Sequence, residues 1–367
     1  MTRRAGRAPA RSLGRRLLGA VGAGLLCVTL LPATATGPAG AARAGERSSV
    51  AKWTTTVFAR VPSPGAPAYV HAHTNKRVYA GTYAAPDGQA SRVFEWTRDG
   101  TLVRSWAVPG QDLAGAHGVQ VAAQTRTGRL VVLDTTTSRV LTLDVRTGRW
   151  RTVATLPEGS VPNYATWAPG GLYVTDYGDG VVHRVTRRGK VTEWLRDPAL
   201  DGVLGFGTTG IRYVPDERAF LLTQQTLSTG ATLPTNGALL RVPLEGRAPG
   251  GVEVVWTSLP TDLPDGFGIG RRTGHVYVAM VGPTNRIAEI DPATGEEVDS
   301  FPALPLVGEN GSEIPFDSPC NATFLGKDVL VANQSAVQGD ASHHAVLRVR
   351  VGERGLAPYL PRRATFR

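Results

Sequence analysis

Cysteine is nearly absent from this chain, with two in 367 residues, Cys27 and Cys320. Cys27 falls in a leader-like segment, so the rest of the chain holds one thiol and can form no internal disulfide. Acidic residues are missing from the first 44 positions. No apolar run reaches the ~20 residues of an uninterrupted membrane span, since the stretch from Leu17 to Leu31 is shorter and interrupted by glycine. There is no G-x-S-x-G elbow, no H-E-x-x-H pair and no phosphate-binding glycine loop. Dense Lys/Arg clusters with interleaved aromatics are also lacking, which removes a nucleic-acid footprint. Helix signals scarcely occur after the leader.

The first 44 residues set the expected compartment. Arg3, Arg4, Arg7, Arg11, Arg15 and Arg16 precede the apolar run, and Ala39-Gly40-Ala41 and Ala42-Arg43-Ala44 follow it. That order describes a secretory signal, with residues 45–367 as the mature, secreted protein and no membrane span left after cleavage. Arg15-Arg16-Leu17-Leu18 also resembles a twin-arginine signal, although its surroundings fit poorly. Cys27 follows Leu26 rather than a small residue, which argues against lipid attachment. The formal charge of +10 includes seven arginines of the leader, so the mature chain carries 10 − 7, or about +3.

The remaining residues repeat a strand–turn phrase every ~50 residues, the period of a propeller blade. One copy runs from Pro162-Asn163-Tyr164 through Gly170-Gly171 to Leu172–Asp176, then Val181–Val185. Others begin at Thr209-Gly210-Ile211, Asp265-Gly266-Phe267, Asn321-Ala322-Thr323, His117-Gly118-Val119 and Pro67-Ala68-Tyr69. Six copies predict an all-β, six-bladed propeller with a central channel. The alternating segment from Trp53 to Val61 is expected to add a strand to the last blade. Aligned first positions give the column Pro67, His117, Asn163, Thr209, Asp265, Asn321, expected to ring one mouth of the channel.

The phrases from Pro162-Asn163 to Asp176, from Leu263-Pro264-Asp265-Gly266 to Pro292, and around Gly237–Gly246 resemble the gluconolactonase/senescence-marker family, whose architecture strictosidine-synthase-like proteins share. That resemblance implies a divalent cation, usually calcium, near the channel mouth. Asn163 and Asp265 match two of the family's ligand positions. Thr209 stands where an Asn is expected, and Pro67 falls near the expected Glu.

Taken without the family, Asp265, Asn163, Thr209 and Asn321 offer oxygens around one ring, and calcium takes six to eight. The alternative is that these short polar residues serve strand-entry turns, which favour Asp and Asn. His117 in the same column is a candidate general base, or a hydrogen-bonded channel histidine without chemistry. His71 and His73 read as solvated surface histidines, His343-His344 as a loop pair, and Asp134 and Asp176 as turn stabilisers. Cys320 reads as an inert buried thiol.

Three functions remain open. The first is a secreted, metal-assisted hydrolase of lactones or related esters, with Asp265 and His117 handling protons. The second is a propeller that binds a small molecule or a protein at its mouth without turnover. The third is a strictosidine-synthase-like condensation enzyme, which wants a channel carboxylate; the column shows no Glu.

Overall fold

The structure is a computed structural model, and residues 50–86, 88–114, 117–227, 235–303 and 308–367 are described. The segment expected to be a leader, with Cys27, lies outside the described residues. Residues Ser49–Arg367 form one compact unit, and among the described residues no helix is long and apolar enough to cross a membrane.

Strand β1 (Thr55–Arg60) precedes the first blade. Blade one is β2 (Pro67–Ala72), β3 (Val78–Thr82), β4 (Arg92–Trp96) and β5 (Leu102–Ala107). Blade two is β6 (Val119–Gln124), β7 (Leu130–Asp134), β8 (Arg139–Asp144) and β9 (Arg149–Thr155). Blade three is β10 (Pro162–Ala168), β11 (Gly171–Asp176), β12 (Val181–Val185) and β13 (Val191–Arg196). Blade four is β14 (Thr208–Val214), β15 (Ala219–Gln224), β16 (Asn236–Glu245), the short β17 (Ala248–Pro249) and β18 (Glu253–Pro260). Blade five is β19 (Pro264–Ile269), β20 (Val276–Met280), β21 (Arg286–Asp291) and β22 (Glu296–Phe301). The last blade takes β23 (Pro319–Leu325), β24 (Asp328–Asn333) and β25 (Ala345–Arg350), and β1 pairs with β25 as its outer strand. The six-bladed propeller and the strand contributed by the N-terminal segment are as the sequence predicts.

The two innermost strands of each blade are almost wholly buried, because a twisted sheet flanked by two others has no wet face. Their Val, Leu, Tyr and Phe side chains fill seams between blades. Leu133, Tyr173 and Phe220 belong to a core shared by blades two to four, while Phe58, Phe94 and Leu330 pack where the last blade meets the first. Each such side chain contributes roughly 1.5–3 kcal/mol by leaving water. The outer strands are wet, as in β5 and β22, where few residues are covered.

Two features position the channel's contents. Every inner strand carries one irregularity in its ladder, so one extra residue is inserted near its start. The segment after β25 crosses the face where the inner strands end. Leu356 N–H donates to Ile269 O at 2.7 Å, Tyr359 packs on Tyr213, Arg126 N–H donates to Ala364 O at 2.6 Å, and Phe366 packs on Trp167. This strap therefore touches blades five, four, two and three.

Candidate functional site

Ladder register decides which residues share a level at the channel's upper mouth. The inner strand begins opposite the end of its neighbour at Pro67↔Thr82, Val119↔Asp134, Pro162↔Asp176, Thr208↔Gln224, Pro264↔Met280 and Pro319↔Asn333. One residue further on stand Ala68, Gln120, Asn163, Thr209, Asp265 and Cys320. The column read from sequence is thus right in blades three to five. It is displaced in the others: Pro67 precedes its level by one, Asn321 follows it by one, and His117 lies before β6 begins. The inserted residue falls at the same step in blades three to five and at other steps in the remaining blades, a difference that sequence phrases do not reveal.

Asp265 and Asn163 meet through a residue that the sequence reading passed over. Tyr69, from blade one, donates its hydroxyl to Asn163 Oδ1 at 2.6 Å and is also bonded to Asp265 Oδ1. The phenol therefore spans the channel between blades three and five. Tyr69 has φ +47°, a left-handed conformation uncommon for an aromatic residue. It is held there by the two hydroxyl contacts and by Val70 N–H, which donates to Asn321 Oδ1 at 3.0 Å. Gly266 leaves the room: a Cβ there would stand 2.6 Å from Tyr69 Cε1 and 2.7 Å from Asn321 Nδ2. A tyrosine in an apolar strand phrase looks like core, so nothing in the sequence marked it.

Burial raises the Asp265 carboxyl to about 7, with the Tyr69 hydroxyl and the Gly266 N–H partly opposing the shift. A phenol carries one proton and cannot donate to both neighbours at once. With Asp265 protonated the conflict resolves: the carboxyl donates to Tyr69 Oη, and Tyr69 donates to Asn163 Oδ1. The surroundings have the same character. Burial raises Tyr83 to about 12, and raises the Tyr177 phenol and the Cys320 thiol as well, the charge of Asp265 adding to each. Cys320 is buried and free, as expected.

The proposed cation ligands do not form a cradle. The Thr209 hydroxyl contacts Pro264 O at 3.0 Å and Thr223 Oγ1 at 3.0 Å. Asn321 Oδ1 is committed to Val70, and its Nδ2 is a buried donor without a partner, the wrong polarity for a cation. Asn163 Oδ1 and Asp265 Oδ1 are both turned to the Tyr69 hydroxyl. Among the described residues no group of three or more His, Cys, Asp or Glu converges as a metal site. Calcium would need six to eight oxygens here, so the residues present do not fit it.

His117, which precedes β6, is bonded elsewhere. Its ring Nε2 is bonded to Gln89 O, and its carbonyl accepts from Ala85 N–H at 3.1 Å. His71 and His73 are buried, which corrects their reading as surface residues. Burial first, then His73 and Arg212, lower His71 to about 3, against the bond to Gln124. Arg212 lies over the Tyr164 ring at 5.1 Å, and Tyr164 packs at a tilt against Tyr69, ring centroids 4.3 Å apart. Asp134 and Asp176 do fasten turns: Asp134 pairs with Arg139, and Asp176 accepts from Val161 N–H at 2.9 Å and bonds to His183 at 3.0 Å.

No protein-family model matches the chain, and no curated protein matches it. Solved structures do. Regucalcin, a calcium-binding protein from Agrobacterium tumefaciens, is 18% identical with a TM-score of 0.55, covering 84% of this chain and 99% of that one. A gluconolactonase from Xanthomonas campestris is 15% identical, TM-score 0.53, covering 78% and 86%. Virginiamycin B lyase from Staphylococcus aureus is 16% identical, TM-score 0.53, covering 79% and 82%. At these identities the likeness is one of fold, and propellers host many functions.

Proposed function

We propose that this chain is a secreted, lactonase-like propeller that opens lactones or related esters at the mouth holding Asp265, using proton transfer by its own side chains. The observation that carries this reading is the Asp265–Tyr69–Asn163 chain, a carboxyl poised near neutral pH and wired to a phenol. A general base works best with a pKa near the operating pH. As the carboxylate, Asp265 takes a proton from attacking water; as the acid, it returns one to the departing alkoxide. Tyr69 holds the carboxyl in place and passes hydrogen bonding on to Asn163. Asn321 Nδ2, beside Tyr69 and Gly266, supplies a donor for the developing oxyanion. Similarity in fold to a gluconolactonase supports the substrate class, and the arginine-rich leader supports secretion.

The test is hydrolysis of a lactone and ester panel by wild type, Asp265→Asn and Tyr69→Phe, each with and without chelator. Turnover should rise with pH through about 7 and ignore chelator. Asp265→Asn should lower it by roughly 10²–10⁴-fold, the usual share of general acid–base catalysis. Full activity in Asp265→Asn overturns the mechanism. Loss on chelation with recovery in calcium would instead restore the cation. The second reading, a binding propeller, draws support from the enclosure of Asp265 and Asn163, exposed by only 6% and 5%. It becomes the better account if nothing on the panel turns over.

A further inference from the structure

On the face opposite the Asp265 mouth, the seam between the last blade and the first opens into a groove of about 500 Å³. Arg98, Lys327, Arg348 and Arg350 line it, with Asp99 and Asp328 as the acidic residues. Four cations against two carboxylates leave a surplus of two positive charges. Asp328 is committed to Arg350 at 3.0 Å, and Asp99 is bonded to the Thr97 hydroxyl. Arg98, Lys327 and Arg348 have no ion pair among the described residues, and Asp99 is the one carboxylate of the groove left to offset them, so two positive charges stay uncompensated.

Arg348 is held in place rather than left to roam. Arg348 lies over the Phe58 ring at 5.0 Å and donates to Arg98 O at 3.0 Å. Arg98 passes over the turn at Gly326, where φ is +72° and a Cβ would stand 3.6 Å from Arg98 Nη2. The Nε atoms of Arg348 and Arg350 are buried donors without partners. Both buried unmet groups in the groove are therefore donors. A single carboxylate would neutralise only one of the two surplus charges. We propose that this groove is a binding site for a ligand carrying two or more phosphate charges, held by charge-assisted bonds from Arg98, Lys327 and Arg348.

The chemistry is shared by soluble diphosphate compounds and by the headgroups of an anionic lipid surface, and two measurements separate them. Inorganic pyrophosphate is titrated calorimetrically into the full chain, the double variant Arg98→Gln/Lys327→Gln, and the charge-matched control Arg188→Gln/Lys190→Gln on blade three. All four positions are exposed, so the variants should fold. One equivalent should bind to wild type and to the control, and the groove variant should bind at least tenfold more weakly. Equal binding by all three proteins, equal weakening in both variants, or no heat in wild type overturns the site. Flotation with vesicles of phosphatidylglycerol or of phosphatidylcholine then identifies the source. Retention on phosphatidylglycerol that the groove variant loses assigns a lipid headgroup, whereas pyrophosphate binding without retention assigns a soluble ligand.

Discussion

Asp265 makes opposite demands on stability and on chemistry. An unfolded carboxyl titrates near ~3.9, whereas in the fold it titrates at about 7. The native state thus binds the proton more tightly, so this group's stabilisation is complete below about pH 4 and drains away as pH rises through about 7. His71 runs the other way: lowered to about 3, it contributes most above its unfolded value near ~6.5, and that contribution fades as the solution is acidified. Comparison with Asp265→Asn isolates the first effect, because Asn resembles the protonated acid. The variant should melt with wild type at pH 4.5 and clearly above it at pH 8, by differential scanning calorimetry. Equal melting at both values would mean that the carboxyl is not raised by its surroundings. Cys320 offers a second check at this scale. Its buried thiol should resist Ellman's reagent in native protein and react fully in denaturant, with no melting shift on reduction. Sequence reading found Asp265, Asn163 and Cys320 because polar or reactive side chains at strand starts are conspicuous. It missed Tyr69, whose role depends on a backbone twist and on Gly266 across the channel.

Among the elements, the inner strands and the terminal strap carry the burden. The three inner strands of each blade were legible, since alternation and glycine-rich turns mark them, whereas the wet outer strands β5, β9, β13, β18 and β22 were not. The level of each residue was not, because the inserted residue falls between Pro162 and Ala165 in one blade and between Val121 and Ala123 in another. A phrase alignment keeps step only where the insertions coincide, as in blades three to five. The strap was also unforeseen: Pro358-Tyr359 to Phe366 has neither strand periodicity nor helix signals, and its order comes from docking alone. Phe366 is half-buried against Trp167. Phe366→Ala should cost about 1–3 kcal/mol, a partial version of an aromatic core truncation. Chemical denaturation would show a lower midpoint, and an unchanged midpoint would show that the strap rests on the blades without stabilising them.

For the whole molecule, six similar blades were predictable from period alone, and their number and closure follow from the sequence phrases. The channel's occupancy was not, since it depends on which side chains cross a ring assembled from residues hundreds of positions apart. The same closure governs the order of assembly. Thr55 pairs with Val349, so the clasp joins the first strand made to the last. A chain emerging from its N-terminus can stack blades one to five in turn, yet β1 waits with an open edge until the final strands arrive. Completion of synthesis is thus a checkpoint: a prematurely ended chain lacks the partner for β1 and leaves its ring unsealed. Such a product keeps most of the native strands but exposes Phe58 and its neighbours, a surface that chaperones and proteases can distinguish from finished protein.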